Sequence, residues 1–326
     1  DAGSDAANIS TVATRRDGKY ILNGSKVFIT NGDTADTLLV FATLDRAQRH
    51  KGVVVLIVEK GAPGLEQRKQ HDKLGMRSSG TAEVVFRDTP VPAENVVTPA
   101  PDGFKTAMQI LDGSRPIIGA QAVGIAQGAL DLALRHVRQR KQFGQAIADF
   151  QGVQWMLADM ATKIDASRLL VYRAASLRDQ GLPFSKEASM AKLFASETAM
   201  YVATQALQLH GGSGYFKDSP IERYFRDAKV TEIYEGTSRD RAIASSGSSR
   251  PGARTNCRCS GNSMTTQRST AWTRRTRPIR SSSSSARRRR PRSRRGTRGV
   301  SGRPSSRRRW RRSRKRRSRA NSTYLP

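Results

Sequence analysis

An abrupt change in composition after Ser238 limits which part of this chain can fold. Residues 239–326 hold 29 of the 58 Lys and Arg residues but one of the 27 Asp and Glu residues. A charge block this dense repels itself and has too little apolar surface to offset the entropy lost on folding. We therefore expect residues 239–326 to be a disordered basic tail, and residues 1–238, which are close to neutral, to form the folded part.

Two interpretations of the tail stay open. An arginine-rich arm would bind nucleic-acid phosphates without sequence preference. A reading-frame shift in a GC-rich gene would also yield mostly Arg, Ser, Gly and Pro. Lys315 is the only lysine in the tail, and the ordered pattern stops in the middle of a motif, so the sequence favours the frameshift.

The remaining composition excludes several classes of protein. Cys257 and Cys259 both lie in the tail, so we expect neither disulfides nor a cysteine metal site in the folded part. The histidines are scattered without metal-ligand spacing, and no apolar run of about eighteen residues predicts a membrane span. With no signal peptide either, we expect a cytoplasmic protein without a bound metal. The chain begins at Asp1, not Met, so we expect it to start within a longer protein.

The first hundred residues have the pattern of a β-domain. Alternating apolar and polar residues predict strands that include 37–43, 53–59 and 82–87. The dipeptides Asp17-Gly18 and Asn23-Gly24 are typical of tight hairpin turns, which need positive φ angles. We therefore expect residues 1–100 to form a mainly antiparallel β-domain.

The residues after this β-domain have apolar side chains at helical spacing. This spacing predicts a long helix from about Phe104 to Arg138, and further helices over about 150–178, 185–209 and 220–228. Pro116 interrupts the first of these, but Ala and Leu resume at helical spacing. A β-domain followed by long antiparallel helices is an α+β arrangement, in which residues 101–238 form an incomplete helical bundle.

Several motifs occur in order along the folded part, whereas the dinucleotide-binding glycine pattern, the P-loop and the serine-hydrolase elbow are missing from the sequence. The motifs are Asp1-Ala2-Gly3-Ser4-Asp5, Val27-Phe28-Ile29-Thr30-Asn31-Gly32, Leu74-Gly75-Met76-Arg77, Arg140-Lys141-Gln142-Phe143-Gly144, Gln208-Leu209-His210-Gly211-Gly212 and Tyr234-Glu235-Gly236-Thr237. Together they resemble the acyl-CoA dehydrogenase family over residues 1–238.

This resemblance implies a flavoenzyme of fatty-acid oxidation. Members have an N-terminal helical domain, a central β-domain and a C-terminal bundle with FAD between them, form homotetramers, and pass electrons to an electron-transferring flavoprotein. Here the first domain is missing and the tail replaces the last helix, so we expect the chain as given to be inactive or impaired. The alternative is a basic-tailed nucleic-acid-binding protein whose folded domain is a relic.

By this resemblance Glu235 is the base that removes the α-proton of an acyl-CoA thioester, and flavin N5 accepts the hydride. Burial raises the proton affinity of a carboxylate, which suits a base, and the Glu235 N–H would polarise the thioester carbonyl. A branch of the family has its base on the first bundle helix, where this chain has Ser114. This difference favours Glu235 and a straight short- or medium-chain substrate. Taken alone, Glu235 would also fit a solvated loop.

The resemblance also implies the binding residues. The substrate contacts would be Ser4, Asp112, Gly113, Ser114, Arg115 and Gly236. The FAD contacts would be Gly3, Ser4, Phe28, Ile29, Thr30, Arg140, Phe143, Gln151, Gln208, Leu209, His210, Gly211, Gly212, Thr237 and Ser238, with Arg140 meeting the diphosphate of a neighbouring subunit.

Ordinary structural roles remain as alternatives for some of these residues. Thr30 would fit any strand, Arg115 a buried ion pair, Arg140 a helix C-terminus, and the glycines at 211 and 212 a helix cap.

Overall fold

The structure is a computed structural model, and it describes residues 2–70 and 72–237. The basic tail, Ser238 and the cysteines lie outside the described residues. The described part contains a β-sheet followed by three long helices and a shorter fourth one. The predicted α+β architecture is therefore confirmed.

The sheet has seven strands in the order β5-β6-β2-β1-β3-β4-β7. The strands are β1 (Val12–Arg16), β2 (Lys19–Thr30), β3 (Thr37–Thr43), β4 (Val53–Glu59), β5 (Leu65–Lys69), β6 (Thr81–Pro92) and β7 (Val96–Thr98). Neighbours pair antiparallel except β1 and β3, which run parallel, so the sheet is mixed. Its buried face includes Leu22, Leu56 and Phe86.

One of the two predicted turns is wrong. Asp17 and Gly18 do form the turn between β1 and β2, with φ angles of 48° and 72°. Asn23 and Gly24 instead lie inside β2, which continues to Thr30 because β6 pairs with it on both sides of this point. A side chain at Gly24 would come within 2.9 Å of the Thr11 Cα, so glycine is needed there for close backbone approach and not for a turn.

Four helices form the second layer. They are α1 (Gly103–Gln139), α2 (Gln151–Asp179), α3 (Ser185–His210) and α4 (Pro220–Thr231), and the short strands β8 (Lys141–Gln142) and β9 (Gln145–Ala146) lie between α1 and α2. Pro116 is buried within an uninterrupted α1. Small residues let α1 and α3 approach closely, since the core positions of α3 include Ala191, Ala195 and Ala199.

By length and composition alone, α1 is apolar enough to cross a membrane. It packs against α2, α3 and α4, and its buried residues belong to the bundle core. The core therefore accounts for its apolar character, and a single helix of this kind is weak ground for a membrane span.

The loop over residues 74–76 connects the sheet to the bundle through α4. The Arg226 guanidinium donates to the Leu74 carbonyl at 2.8 Å, and the Met76 N–H donates to the Asp227 carboxylate at 2.6 Å. Gly75 lies between these contacts, and a Cβ at Gly75 would come within 2.5 Å of the Arg226 carbonyl oxygen. The backbone of α4 therefore leaves no space for a side chain at this position.

We expect Gly75→Ala to lower the free energy of unfolding by about 1–3 kcal/mol, because the added methyl group forces the loop away from α4. Gly124→Ala is the matched control, since Gly124 is exposed on α1 and has nothing within 4 Å of its Cβ position. The control should be neutral or stabilising by up to about 1 kcal/mol. Urea denaturation measures the free energy of unfolding of both variants. Equal changes in the two would contradict the close contact between Gly75 and α4.

Candidate active site

A cleft of about 770 Å³ opens where the sheet, α1 and the end of α4 meet. Strand β2 contributes Phe28 and Thr30, and α1 contributes Ile118 and Gln121. The remaining lining residues include Gly75, Met76, Ile233, Tyr234 and Glu235. Its wall is mainly apolar, and Glu235 is the one acidic residue among those that line it in the described part of the chain.

Glu235 lies in the loop after α4, in a left-handed backbone conformation. Its φ is 59°, and that of the following Gly236 is 89°. A non-glycine residue in this region is uncommon and marks a backbone that the surroundings hold in place. The Ser114 hydroxyl on α1 donates to Glu235 Oε2 at 2.6 Å. The carboxylate is thereby oriented at the edge of the cleft.

Two further side chains tie this loop to the bundle. The Tyr234 hydroxyl donates to the Gln121 side-chain oxygen, and Lys192 Nζ on α3 donates to the Gly236 carbonyl at 2.7 Å. Burial raises the pKa of Tyr234, and the neighbouring Glu235 charge raises it further. Gln121 and Lys192 are not among the site residues predicted from the sequence, and Tyr234 is predicted only as part of its motif. For Lys192 a signal exists, because it shares the helical spacing of the buried Ala188, Ala195 and Ala199.

Of the other predicted substrate residues of α1, Asp112 and Gly113 contact neighbouring bundle helices, and only Arg115 is buried. Arg115 is 5% exposed and pairs with Asp112, which also accepts a hydrogen bond from Ser185 on α3. The Gly113 carbonyl accepts from Arg178 at 3.5 Å. None of Asp112, Gly113 and Arg115 is among the described residues that line the cleft. Their role in substrate binding stays a prediction, and the geometry fits the alternative of a buried structural arginine.

Part of the predicted flavin segment faces the cleft. Phe28 is 76% exposed, has a φ of 61°, and lines the cleft together with Thr30. Ile29 packs against the sheet core. The pairing of β2 with β6 is irregular between Lys26 and Ile29. This bulge turns the Phe28 ring outward, because an extra residue reverses the alternation of side chains along the strand.

A second group of predicted cofactor residues lies at the far end of α1. Ser114 and Arg140 are separated by about 39 Å along the helix axis at the usual rise per residue. Phe143 is 94% exposed and lies edge-on to Phe150, and the exposed Gln151 begins α2. Within one chain the structure therefore does not bring these residues to Glu235.

The predicted glycine turn lies at this same end. Gly211, with a φ of 58°, ends α3, Gly212 is exposed, and Leu209 packs against the bundle core. The ring of His210 stacks on that of His136, with the two ring centroids 4.3 Å apart. Burial lowers the pKa of His136, and the nearby His210 and Arg140 lower it further. This stack places Gln208–Gly212 next to the end of α1 that leads to Arg140.

Of the predicted residues near the chain ends, Gly3, Ser4 and Thr237 are not among the described residues that line the cleft. Gly3 and Ser4 are exposed, and the adjacent Asp5 pairs with Arg49 at 2.8 Å. Thr237 is half-buried, and Ser238 lies outside the described residues. Across residues 2–70 and 72–237, no group of three or more His, Cys, Asp or Glu side chains could hold a metal ion.

Two family models match the chain. The first, described as "Acyl-CoA dehydrogenase, middle domain", matches residues 1–89. The second, described as "Acyl-CoA dehydrogenase, C-terminal domain", matches residues 101–240. The two models together cover most of the part that the composition marks as folded.

Curated relatives agree with these matches. An acryloyl-CoA reductase (NADH) from Anaerotignum propionicum is 52% identical over 240 residues, which cover 73% of this chain and 61% of the relative. A short-chain specific acyl-CoA dehydrogenase from Clostridium acetobutylicum is 49% identical over 247 residues, which cover 76% of this chain and 65% of the relative. The chain thus spans less than two thirds of the length of these relatives.

Solved structures share the fold. Butyryl-CoA dehydrogenase from Megasphaera elsdenii superposes with a TM-score of 0.74 at 46% identity, covering 76% of this chain and 64% of that structure. A structure titled "Electron transferring flavoprotein of Acidaminococcus fermentans: Towards a mechanism of flavin-based electron bifurcation" has a chain with a TM-score of 0.74 at 52% identity, covering 75% and 64%. The nucleic-acid-binding alternative finds no support in these comparisons. The chain belongs to the acyl-CoA dehydrogenase family.

Proposed function

We propose that the folded part of this chain carries the active site of an FAD-dependent dehydrogenase that introduces an α,β double bond into a short-chain acyl-CoA thioester. One observation carries the proposal: the Glu235 carboxylate, held by Ser114, lines the same apolar cleft as Phe28 and Thr30 of β2. A base, an aromatic ring and a hydroxyl are thus placed around a space that suits a thioester and a flavin ring.

The cleft residues fit a flavin. The Phe28 ring points outward from a β-bulge and offers an aromatic surface for stacking, and the exposed Thr30 hydroxyl can donate a hydrogen bond. When bound, FAD would supply the acceptor for the β-hydrogen and its electron pair, which no side chain can accept.

The chain's own residues would handle the α-proton and the carbonyl. Glu235 accepts the α-proton at its carboxylate, while the Ser114 hydroxyl keeps that carboxylate oriented. The Glu235 N–H would donate to the thioester oxygen and stabilise negative charge there. Met76, Ile118 and Ile233 would provide an apolar wall against which the acyl chain packs.

Substrate, oligomer and electron acceptor follow as parts of the same proposal. This chain has Ser114 at the position where a branch of the family has its base, and this difference, together with the short-chain relatives, supports a straight short acyl chain. Arg140 lies about 39 Å along α1 from Ser114, which supports an assembly in which a neighbouring copy brings Arg140 to the FAD diphosphate. The solved structure titled as an electron-transferring flavoprotein supports that class of acceptor.

The activity of this chain is expected to be impaired. Phe28 and Ile233 are 76% and 55% exposed, so one wall of the cleft is open to water. Proton and hydride transfer both depend on an enclosed site. We therefore expect slow reduction of bound FAD and little sustained turnover.

The test is anaerobic titration of the purified 326-residue chain with FAD and then with butyryl-CoA, with visible flavin absorbance as the readout. We expect FAD to be retained and its absorbance to bleach slowly. Failure to retain FAD, or bound FAD that no acyl-CoA from butyryl to octanoyl bleaches, would refute the proposal. Binding that is confined to polyanions and lost in salt would favour the nucleic-acid alternative.

A further inference from the structure

Lys192 is a buried lysine that the proposed chemistry does not use. Its side chain is 0% exposed and lies on the face of α3 that carries Ala188, Ala191 and Ala195. An ammonium group loses its hydration when it is buried, and this loss is tolerated only where polar partners replace the water. A lysine on an alanine face therefore needs a specific partner.

One such partner lies in the loop after α4 that carries Glu235. Lys192 Nζ donates to the Gly236 carbonyl at 2.7 Å, one residue beyond Glu235. Up to Tyr234, the loop is also held by α4, since the Tyr234 N–H donates to the Val230 carbonyl at 3.2 Å. Beyond that point, Glu235 and Gly236 adopt left-handed φ angles of 59° and 89°. Glycine adopts such angles freely, but Glu235 is a non-glycine residue, so contacts from outside the loop must hold it in that conformation.

Two helices supply such contacts from opposite ends of the loop segment. Ser114 on α1 binds the Glu235 carboxylate, and Lys192 on α3 binds the Gly236 carbonyl. Helices α1 and α3 pack closely against each other, so their spacing is fixed. The contact of Lys192 with the Gly236 backbone and the contact of Ser114 with the Glu235 side chain are thus both anchored to the packed pair of helices α1 and α3.

We propose that Lys192 is a positioning residue, whose ammonium fixes the Gly236 carbonyl and so keeps the Glu235 carboxylate at Ser114, facing the cleft. The inference rests on the proposed role of Glu235 as the base. Without this contact Gly236 would be free to change its backbone angles, Glu235 would relax from its left-handed conformation, and the carboxylate would sample positions away from the cleft. Small displacements of a reacting group lower the rate steeply while leaving binding nearly intact.

The test compares Lys192→Met with the unaltered chain, both loaded with FAD and titrated with butyryl-CoA. Methionine occupies similar space but cannot donate. We expect the limiting rate of flavin reduction to fall about 10- to 100-fold, and the half-saturating butyryl-CoA concentration to change less than about threefold. The urea midpoint should fall only slightly, because methionine fills the same space and a single backbone carbonyl loses its donor. Hydrogen exchange should rise in residues 234–237 and not in the rest of the bundle.

Lys186→Met is the matched control, because Lys186 is exposed on the same helix; it should change none of these quantities. Lys192→Gln keeps a shorter donor and should recover part of the rate, and it replaces the methionine variant if that variant does not fold. An unchanged limiting rate, or a loss of rate that parallels a lower urea midpoint and bundle-wide exchange, would overturn the proposal. If even the unaltered chain fails to reduce FAD, the proposed function fails. The role of the Lys192 contact can still be tested in that case, because unchanged hydrogen exchange at residues 234–237 in Lys192→Met would refute it.

Discussion

Glu235→Gln is expected to slow the reduction of bound FAD by butyryl-CoA by about 10²- to 10⁴-fold, the usual contribution of a general base. The amide keeps the shape of the side chain and can still accept the hydrogen bond from Ser114, so the loop should stay in place. It cannot take the α-proton. We therefore expect the affinities for FAD and butyryl-CoA, measured by flavin absorbance, to change little.

Glu232→Gln is the control for this variant. Glu232 lies three residues earlier, at the end of α4, and pairs with Lys229 at 2.7 Å instead of lining the cleft. Its loss should leave the rate of reduction nearly unchanged. If Glu235→Gln bleaches the flavin as fast as the unaltered chain, another group is the base. If it loses both FAD and butyryl-CoA, Glu235 has a structural role.

Strands and helices are predicted most accurately from the sequence where a single periodicity of apolar residues dominates a segment. The strands Thr37–Thr43 and Val53–Glu59 have the predicted bounds, because their apolar runs pair in a single unbroken register. The turn predicted at Asn23-Gly24 is wrong, because pairing with β6 overrides the local preference of that dipeptide. Glycine signals close approach as well as turns, and only the tertiary partner, here Thr11, distinguishes the two.

The candidate site was predictable only in part, for a related reason. Motifs place Glu235, Phe28 and Thr30, which the structure brings to one cleft. The residues that hold Glu235 in place come from α1 and α3, more than 40 residues away along the chain. The resemblance places Ser114 near the substrate, but no local pattern around Ser114 or Lys192 links either residue to the loop that carries Glu235, because their proximity arises from helix packing.

Asp112→Ala is expected to lower the free energy of unfolding by about 3 kcal/mol, the typical cost of removing one partner of a buried ion pair. Arg115 is 5% exposed and would lose its Asp112 carboxylate without gaining water. The same change removes the acceptor of the Ser185 hydroxyl, which connects α1 to α3. Urea denaturation of the two chains measures the difference.

The matched control is Asp165→Ala on α2. Asp165 pairs with Arg168 at the same i,i+3 spacing, but its side chain is 72% exposed, so the change should cost less than about 1 kcal/mol. The comparison also separates the two interpretations of Arg115. A structural arginine requires a large loss of stability with Asp112→Ala, whereas a substrate contact predicts weaker butyryl-CoA binding at nearly unchanged stability. The burial of Arg115 and its place outside the cleft lining lead us to expect the first result.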